Sequence, residues 1–526
     1  MKSVMVHEFS NAPSVEMPRS NFNRSFGHKT TMDADLLIPI MWDEALPGDT
    51  YNVDPHIFAR LNTPLFPIMD NMFMDIHFFS VPVRQLWTNF RKMMGEQVDP
   101  GDSIDYTVPV LAAPATTGWT VGQLADYMGI PPGVPDIEVS ALPFRAYCHI
   151  YNEWYRDQNL IDTIVFPTGN GPDTGSYSFG PLTRGKRHDY FTSCLPWLQK
   201  GDAVDLPLGT SAPVNGLVMG SDSFTSSDDV MYLKPGGGTR TTNDISTNNV
   251  RAHTGYESVY ADLSNATAST VNQLRQAFQI QKLLEKDARS GTRYSEIVKS
   301  HFGVDFYDPS YRPEFLGGTS VPINTHQIPQ TSDDGSNGSV GKLAAFAEAS
   351  ISGSGGFTKS FTEHCIIMGV LSVRADLTYQ QGIDRGFFRS TRYDFYWPSL
   401  AHIGEQSVLM AELYAQDPTQ DTGSTGTPDN ERVFGYQERW AEYRYKPSLI
   451  TGKLRSNDPL TLDAWHLSQE FGSTPELNQA FIEETPPIDR VVAVTTEPDM
   501  IMDCYFNLQC ARPMPLYSVP GLIDHF

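Results

Sequence analysis

The most regular pattern in this 526-residue chain is an alternation near its C-terminal end. Met502, Cys504, Phe506, Leu508 and Cys510 fall on one side, and Asp503, Tyr505, Asn507 and Gln509 on the other. A period of two is the mark of a strand with one face buried. A second alternating run sets Met72, Met74, Ile76 and Phe78 against Phe73, Asp75, His77 and Phe79. Shorter or continuous apolar runs at 36–41, 164–166, 203–208, 319–328, 365–373, 434–445 and 491–494 complete the predicted strands. The segment YRPEFLGGTSVPINTHQIP (311–329) carries Pro313 and Pro322, and its Gly317-Gly318 pair predicts a sharp reversal before the extended run. The predicted strands lie tens of residues apart, too far for a simple meander.

Helical spacing appears between them. Phe144, Tyr147, Cys148, Tyr151, Trp154 and Tyr155 form an apolar stripe that predicts a helix over 143–160. A second helix is predicted over 271–290, with Leu274, Ala277, Phe278, Leu284 and Ala288 on one face. Arg275, Lys282, Lys286, Arg289 and Arg293 lie within about 60° of one another on an adjoining face, at 100° per residue. Residues 209–262, rich in Gly, Ser, Thr, Asn and Asp, and residues 416–430 (QDPTQDTGSTGTPDN) read as exposed loops. Loops this long are usually functional or disordered.

Composition adds three constraints. The chain is longer than the ~250–300 residues at which a single core stops growing, so it holds several domains or one domain with long excursions. Its 41 Gly and 38 Pro favour a turn-rich, mostly β architecture. A net charge of −24 repels phosphate over most of the surface. Local charge differs: residues 1–32 carry Lys2, Arg19, Arg24 and Lys29 against Glu8 and Glu16, whereas 209–262 is acidic. The five cysteines show no CxxC and no zinc-type spacing, and Cys504 and Cys510 would sit about 20 Å apart along one strand, so free thiols are expected. No apolar run is long enough for a signal peptide or a membrane span.

Chemistry is hard to find. The tetrapeptide DTGS occurs at 173–176 and again at 421–424, and paired Asp-Thr-Gly loops are the signature of pepsin-like proteases. Each of those aspartates must end a buried apolar strand; here GNGP (169–172) and PTQ (418–420) precede them, so both read as surface turns. Gly341-Lys342 lacks the rest of a phosphate loop, and the 13 histidines make neither HExxH nor HxH. No catalytic, cofactor or metal residues are expected.

Longer segments then become informative together. ARLNTPLFPIMDNMFMDIHFFSVP (59–82), VNQLRQAFQIQKLLEKDARSGTRY (271–294) and RPEFLGGTSVPINTHQIPQTS (312–332) are three of them. VRADLTYQQGIDRGFFRSTRYDFYWPSLAHIGEQ (373–406), FGYQERWAEYRYKPSLITGKLRS (434–456) and YFNLQCARPMPLYSVPGLIDHF (505–526) complete the set. From about residue 20 to the end the chain resembles the major capsid protein of microviruses, in the gokushovirus branch. The resemblance implies a mainly β subunit: one eight-stranded antiparallel jelly roll with long loop and helical insertions. It implies no enzyme, but self-assembly into a small T=1 icosahedral shell around circular single-stranded DNA, in a virion assembled in a bacterial host. Implied partners are further copies of the chain, a small basic internal DNA-binding protein, the packaged DNA and a host receptor, without membrane insertion or cofactor. Residues 1–32 would be an N-terminal arm, 209–262 the variable surface insertion meeting the host, and 271–293 a helical insertion. Candidate nucleic-acid contacts are Arg19, Arg24, Lys29, Arg275, Lys282 and Lys286. Aromatic and Arg side chains dominate obligate contacts, which makes Phe387, Phe388, Arg389, Arg392, Tyr393, Tyr396, Trp397, Trp440, Tyr443 and Tyr445 the candidate subunit interface.

Overall fold

The computed structural model describes residues 18–173, 180–204, 214–215, 217–219, 250–252, 260–261, 271–305, 311–329, 331, 343–417 and 429–517. Contacts divide the chain into two compact units, 197–305 and the remainder. The larger unit is built on ten strands: β1 (Ser20–Asn23), β2 (Phe26–Met32), β3 (Leu36–Ala45), β4 (Thr50–Leu61), β5 (Met72–Pro82), β6 (Glu314–Pro329), β7 (Leu343–Ser352), β8 (Phe357–Ser360), β9 (Cys365–Ala375) and β10 (Met500–Arg512). All pair antiparallel, in the order β1 and β2 beside β10, then β4, β7, β6, β5, β9 and β3, with β8 also on β4. Eight of these strands are seven residues or longer. The architecture is that of a viral β-sandwich.

The long strand β6 makes the sandwich out of one ladder. Its residues 314–323 pair with β5 and its residues 324–329 with β7, so it belongs to both layers. Between the layers lies the main core, where the Phe78 ring of β5 meets Phe506 of β10 edge-on at 6.4 Å and Phe357 of β8 at 5.4 Å. In the layer of β10, β4 and β7, burial alternates residue by residue and the other face is exposed. In the layer of β5, β9 and β3, a second core covers the outer face. Phe79, Val81, Met368 and Val370 pack there against Leu86, Trp87, Trp119 and helix α1 (Leu142–Ile150). Every residue of β9 is therefore buried, and it reads as a continuous apolar run because neither face meets water.

The alternating runs at 72–79 and 502–510 and the apolar runs at 36–41, 319–328 and 365–373 all fall inside observed strands. Others do not. Residues 164–166 and 491–494 form no strand, Val492 making one isolated bridge to Pro64. Of 203–208 only the first two residues are described, and they are irregular. Within 434–445 only Val433–Glu438 is a strand. The reversal expected at Gly317-Gly318 is absent: β6 runs straight through, with a bulge between Phe315 and Gly317. What the glycines allow is close approach, since a Cβ on Gly318 would lie 2.5 Å from the Ile76 carbonyl and one on Gly317 2.8 Å from that of Gly356. Of the expected N-terminal arm at 1–32, residues 20–23 and 26–32 are β1 and β2, which pair with β10.

Strand β4 carries Pro55 in its interior, where a proline would normally break a ladder. One side of β4 pairs with β10 throughout, and the other with β8 at 50–53 and β7 at 56–60. Pro55 sits at the gap between those partners, its carbonyl accepting the N–H of Gly353 at 3.0 Å. The missing proline N–H faces the same gap, so no ladder bond is lost.

The predicted helix at 143–160 is α1 followed by a π turn over Tyr151–Tyr155. The smaller unit contains α2 (Val271–Arg289) and α3 (Tyr294–Phe302), linked by His301 and the Asp287 carboxylate at 2.7 Å. Two short ribbons pair Leu217–Met219 with Val250–Ala252 and Val214–Asn215 with Tyr260–Ala261. The rest of the 209–262 insertion, and most of the 416–430 loop, lie outside the described residues.

Candidate functional site

Between β9 and β10 the chain leaves the sandwich for more than a hundred residues, and the exposed aromatic residues gather there. Asp384 accepts the N–H of Gly386 at 2.8 Å and caps a short 3-10 turn at Arg385–Phe388. Thr391 and Asp394 cap a second turn at Arg392–Asp394, and Pro398 opens a third. Single turns joined by caps have too few inward positions to bury their side chains. Phe387 is 83% exposed, Tyr445 57% and Trp397 50%, and Tyr393, Phe395, Tyr396, Tyr443 and Leu449 are similarly open.

These rings are nevertheless held in place. The Arg389 guanidinium lies over Tyr443 at 4.4 Å and over Phe395 at 5.5 Å, with Glu442 3.9 Å away. Arg392 lies over Tyr393 at 5.0 Å, and the Trp397 indole N–H donates to the Arg392 carbonyl at 2.9 Å. Underneath, Arg385 donates to Glu412 at 2.6 Å and to the Ser407 carbonyl at 2.7 Å, and the Tyr190 hydroxyl donates to Glu412 at 2.8 Å. Burial raises the Glu412 carboxyl above its usual range, with Arg385 pulling the other way. Beside the surface runs a groove of about 680 Å³, walled by Phe191, Tyr379, Ile383, Tyr414, Tyr445 and Leu449.

Trp440 differs from the other interface candidates. It is 2% exposed, and its rings' neighbours are Tyr396 at 5.7 Å and Tyr443 at 6.1 Å. Its backbone is left-handed (φ 72°), a conformation that costs a bulky residue on the order of 1–3 kcal/mol. A side chain buried within its own subunit cannot itself touch a neighbour, so the expectation for Trp440 is corrected: it underlies the surface.

The candidate nucleic-acid residues are divided between the two units. Arg19 is exposed. Arg24 is engaged by both oxygens of Asp43 and by the Tyr51 hydroxyl; burial lowers its pKa, but Asp43 outweighs this and holds it charged. Lys29 pairs with Asp503 at 2.5 Å on the exposed face of the sandwich. Arg275, Lys282 and Lys286 are exposed on α2, in the smaller unit.

The first DTGS aspartate is not in a surface turn. Asp173 and Arg145 form a fully buried pair, with Arg145 Nη2 to Oδ1 at 2.6 Å and Nε to Oδ2 at 2.9 Å. The remaining guanidinium donors reach the carbonyls of Leu86 and Gly169. A carboxylate clamped this way is a structural tie, with no access for a water or a substrate. Asp421 lies outside the described residues. Among the described residues no cluster of His, Cys, Asp or Glu could hold a metal, and no helix is long and apolar enough to cross a membrane. All five cysteines are buried and unpaired with one another.

A β-sandwich with a large exposed aromatic surface, and no catalytic constellation among the described residues, is what a shell subunit needs. The family model described as capsid protein (F protein) matches residues 10–522. The chain belongs to this capsid protein family. Among its relatives are the capsid proteins VP1 of Bdellovibrio phage phiMH2K, 44% identical, and of Chlamydia phage 1, 41% identical, each alignment covering 99% of this chain and 98% of the relative. Capsid protein VP1 of Spiroplasma virus 4 is 36% identical over 98% of both chains. These are gokushoviruses, as the sequence resemblance indicated. The capsid protein is thus a structural component of the virion and not an enzyme.

Sequence reasoning picked out most of the aromatic surface but passed over Phe395, Ile403 and Leu449, which are 50%, 55% and 60% exposed. Phe395 stands inside RYDFYWP, and the absence of any helical or strand period there was the available signal that these rings were not core.

Proposed function

We propose that identical copies of this capsid protein close into a T=1 icosahedral shell around a circular single-stranded DNA genome. The aromatic and arginine surface of 387–397 and 443–445 is a contact between copies. The observation that carries this is the exposure of so many large rings on one excursion of a stable sandwich. Monomeric soluble proteins rarely leave contiguous apolar patches of more than a few hundred Å², and larger ones mark interaction sites. Each contact need only be modest, because symmetry repeats it around the shell.

With a net charge of −24 per subunit, most neutralisation of packaged DNA comes from elsewhere: a small basic internal protein and cations. Arg275, Lys282 and Lys286, exposed on α2, are cations of this chain suited to phosphate contact. The 209–262 insertion, long and polar, is the segment suited to meeting a host receptor. Electron microscopy of the purified protein tests the assembly reading: closed particles of uniform diameter are expected, and a persistent monomer overturns it. Charge reversal of Arg275 and Lys282 should lower genome content per particle. Deletion of 209–262 should spare particles and abolish adsorption.

A further inference from the structure

Trp440 sits where three segments of the aromatic surface meet. Its indole N–H donates to the Leu400 carbonyl at 3.0 Å, fixing the end of the turn that follows Trp397. Its backbone N–H donates to Gln406 Oε1 at 3.2 Å, and the amide of the same Gln406 donates to Glu442 at 2.7 Å. The Tyr396 and Tyr443 rings pack on it edge-on, at 5.7 Å and 6.1 Å, and lie 6.3 Å from each other. The Arg439 guanidinium covers its ring at 4.4 Å. Tyr443 in turn carries Arg389, which also reaches Phe395.

The backbone supplies an independent observation. Among the described residues only Trp440 and Asp136 have a positive φ without being glycine. Asp tolerates that region through local hydrogen bonding, whereas an indole does not. An ordinary core position would be filled by a residue in a relaxed conformation. A strained one persists where the surroundings over-determine it, which is characteristic of functional sites.

We infer that Trp440 is a positioning residue for subunit assembly: held left-handed by Gln406 and Leu400, it presents Tyr396, Tyr443 and, through Tyr443, Arg389 to a neighbouring copy. This rests on the proposal that the aromatic surface joins copies. Tyr396 comes from one turn and Tyr443 from another 47 residues on; the ladder of Glu405–Leu409 with Val433–Glu438 brings their segments together but stops short of both rings. Without the indole between them they would keep their local turns but lose their mutual placement.

The test separates folding from assembly. Trp440→Ala, Trp440→Phe, Gln406→Ala and the surface variant Tyr396→Ala/Tyr443→Ala would each be expressed as the full chain. Particle yield would be read by sedimentation, and the melting of the unassembled fraction by circular dichroism. Expected are a loss of particles of about tenfold or more for Trp440→Ala, with a cooperative melt retained, and substantial recovery in Trp440→Phe, tenfold being one 1.4 kcal/mol step per contact. Wild-type particle yield from Trp440→Ala would overturn the inference. Should Trp440→Ala fail to fold, Gln406→Ala decides, since it keeps the indole and removes its backbone anchor together with the bond to Glu442: a tenfold loss with an unchanged melt supports positioning, and normal yield overturns it. If Tyr396→Ala/Tyr443→Ala assembles normally, the surface reading itself fails. If that variant is blocked while Trp440→Ala is not, only the positioning role fails.

Discussion

The two layers of the sandwich share a core but face different surroundings. The β10–β4–β7 layer is apolar on its inner face and open on the other, where Phe58, Ile501 and Tyr505 stand exposed beside Lys29 and Asp503. The β5–β9–β3 layer is covered on both faces, because α1 and the segments around Trp87 and Trp119 pack on its outside. Polar groups behind the covered layer must therefore find partners inside the protein. Asp75 is held by Arg184 at 2.9 Å and Arg374 at 3.0 Å, Arg145 by Asp173, and His77 by the Tyr155 hydroxyl at 2.8 Å. Burial raises the Asp75 carboxyl, yet its hydrogen-bonding partners and the two guanidiniums outweigh that and leave it below the usual range. The open layer carries charges that water already satisfies. The difference teaches where a substitution will be felt: behind one layer it removes structure, and on the other it changes only a surface.

The largest expected effect is on the tie that anchors the covering. Asp173→Ala leaves Arg145 buried without its counter-charge and should cost about 3–5 kcal/mol in denaturant unfolding, enough to lose soluble subunit. The paired substitutions Phe79→Ala and Phe58→Ala test the comparison directly. Phe79 is packed against Trp154 at 5.4 Å and Phe315 at 5.6 Å, and its loss should cost about 3–5 kcal/mol. Phe58, 44% exposed on the open layer, should cost about 1 kcal/mol or less. Equal effects would break the distinction between the layers.

Acid should act on the covered side. Burial pushes both His77 and His149 down from 6.5 to about 4. Between those values the unfolded chain binds protons that the folded one refuses, so stability is full above pH 6.5 and falls as pH drops towards 4. His77→Gln/His149→Gln should flatten the melting temperature between pH 7 and pH 4.5, which a pH series checks. The smallest expected effect is on the open face: Lys29→Ala breaks an exposed pair with Asp503 and should change stability by no more than about 0.5 kcal/mol.

The open layer was legible in the sequence where period two survived, as in 502–510. Strand β4 was missed although its burial alternates, because Pro55 argued against a strand interior and only the gap between β7 and β8 removes that objection. Strand β7 was missed for its alanines, which alternate as buried positions without looking like a hydrophobic run. The runs at 164–166 and 491–494 are apolar yet irregular: Val491 and Val492 are buried in the main core without joining a ladder. At the aromatic surface, residue type pointed to an interface, but type could not separate Trp440 from Trp397. Both are tryptophans in aromatic, arginine-rich stretches, and only the packing shows one beneath and one outside.

By itself the sequence determined that this is a β-rich, acidic structural subunit of the capsid kind. Alternation, glycine and proline content and long matching segments are properties of the chain read in order. Tertiary structure alone decided which sheet face is covered, that Asp173 is a buried tie, and that Trp440 lies beneath the aromatic surface instead of on it. Those facts depend on which distant segments meet. Burial and pairing are properties of neighbours in space, which no local pattern encodes.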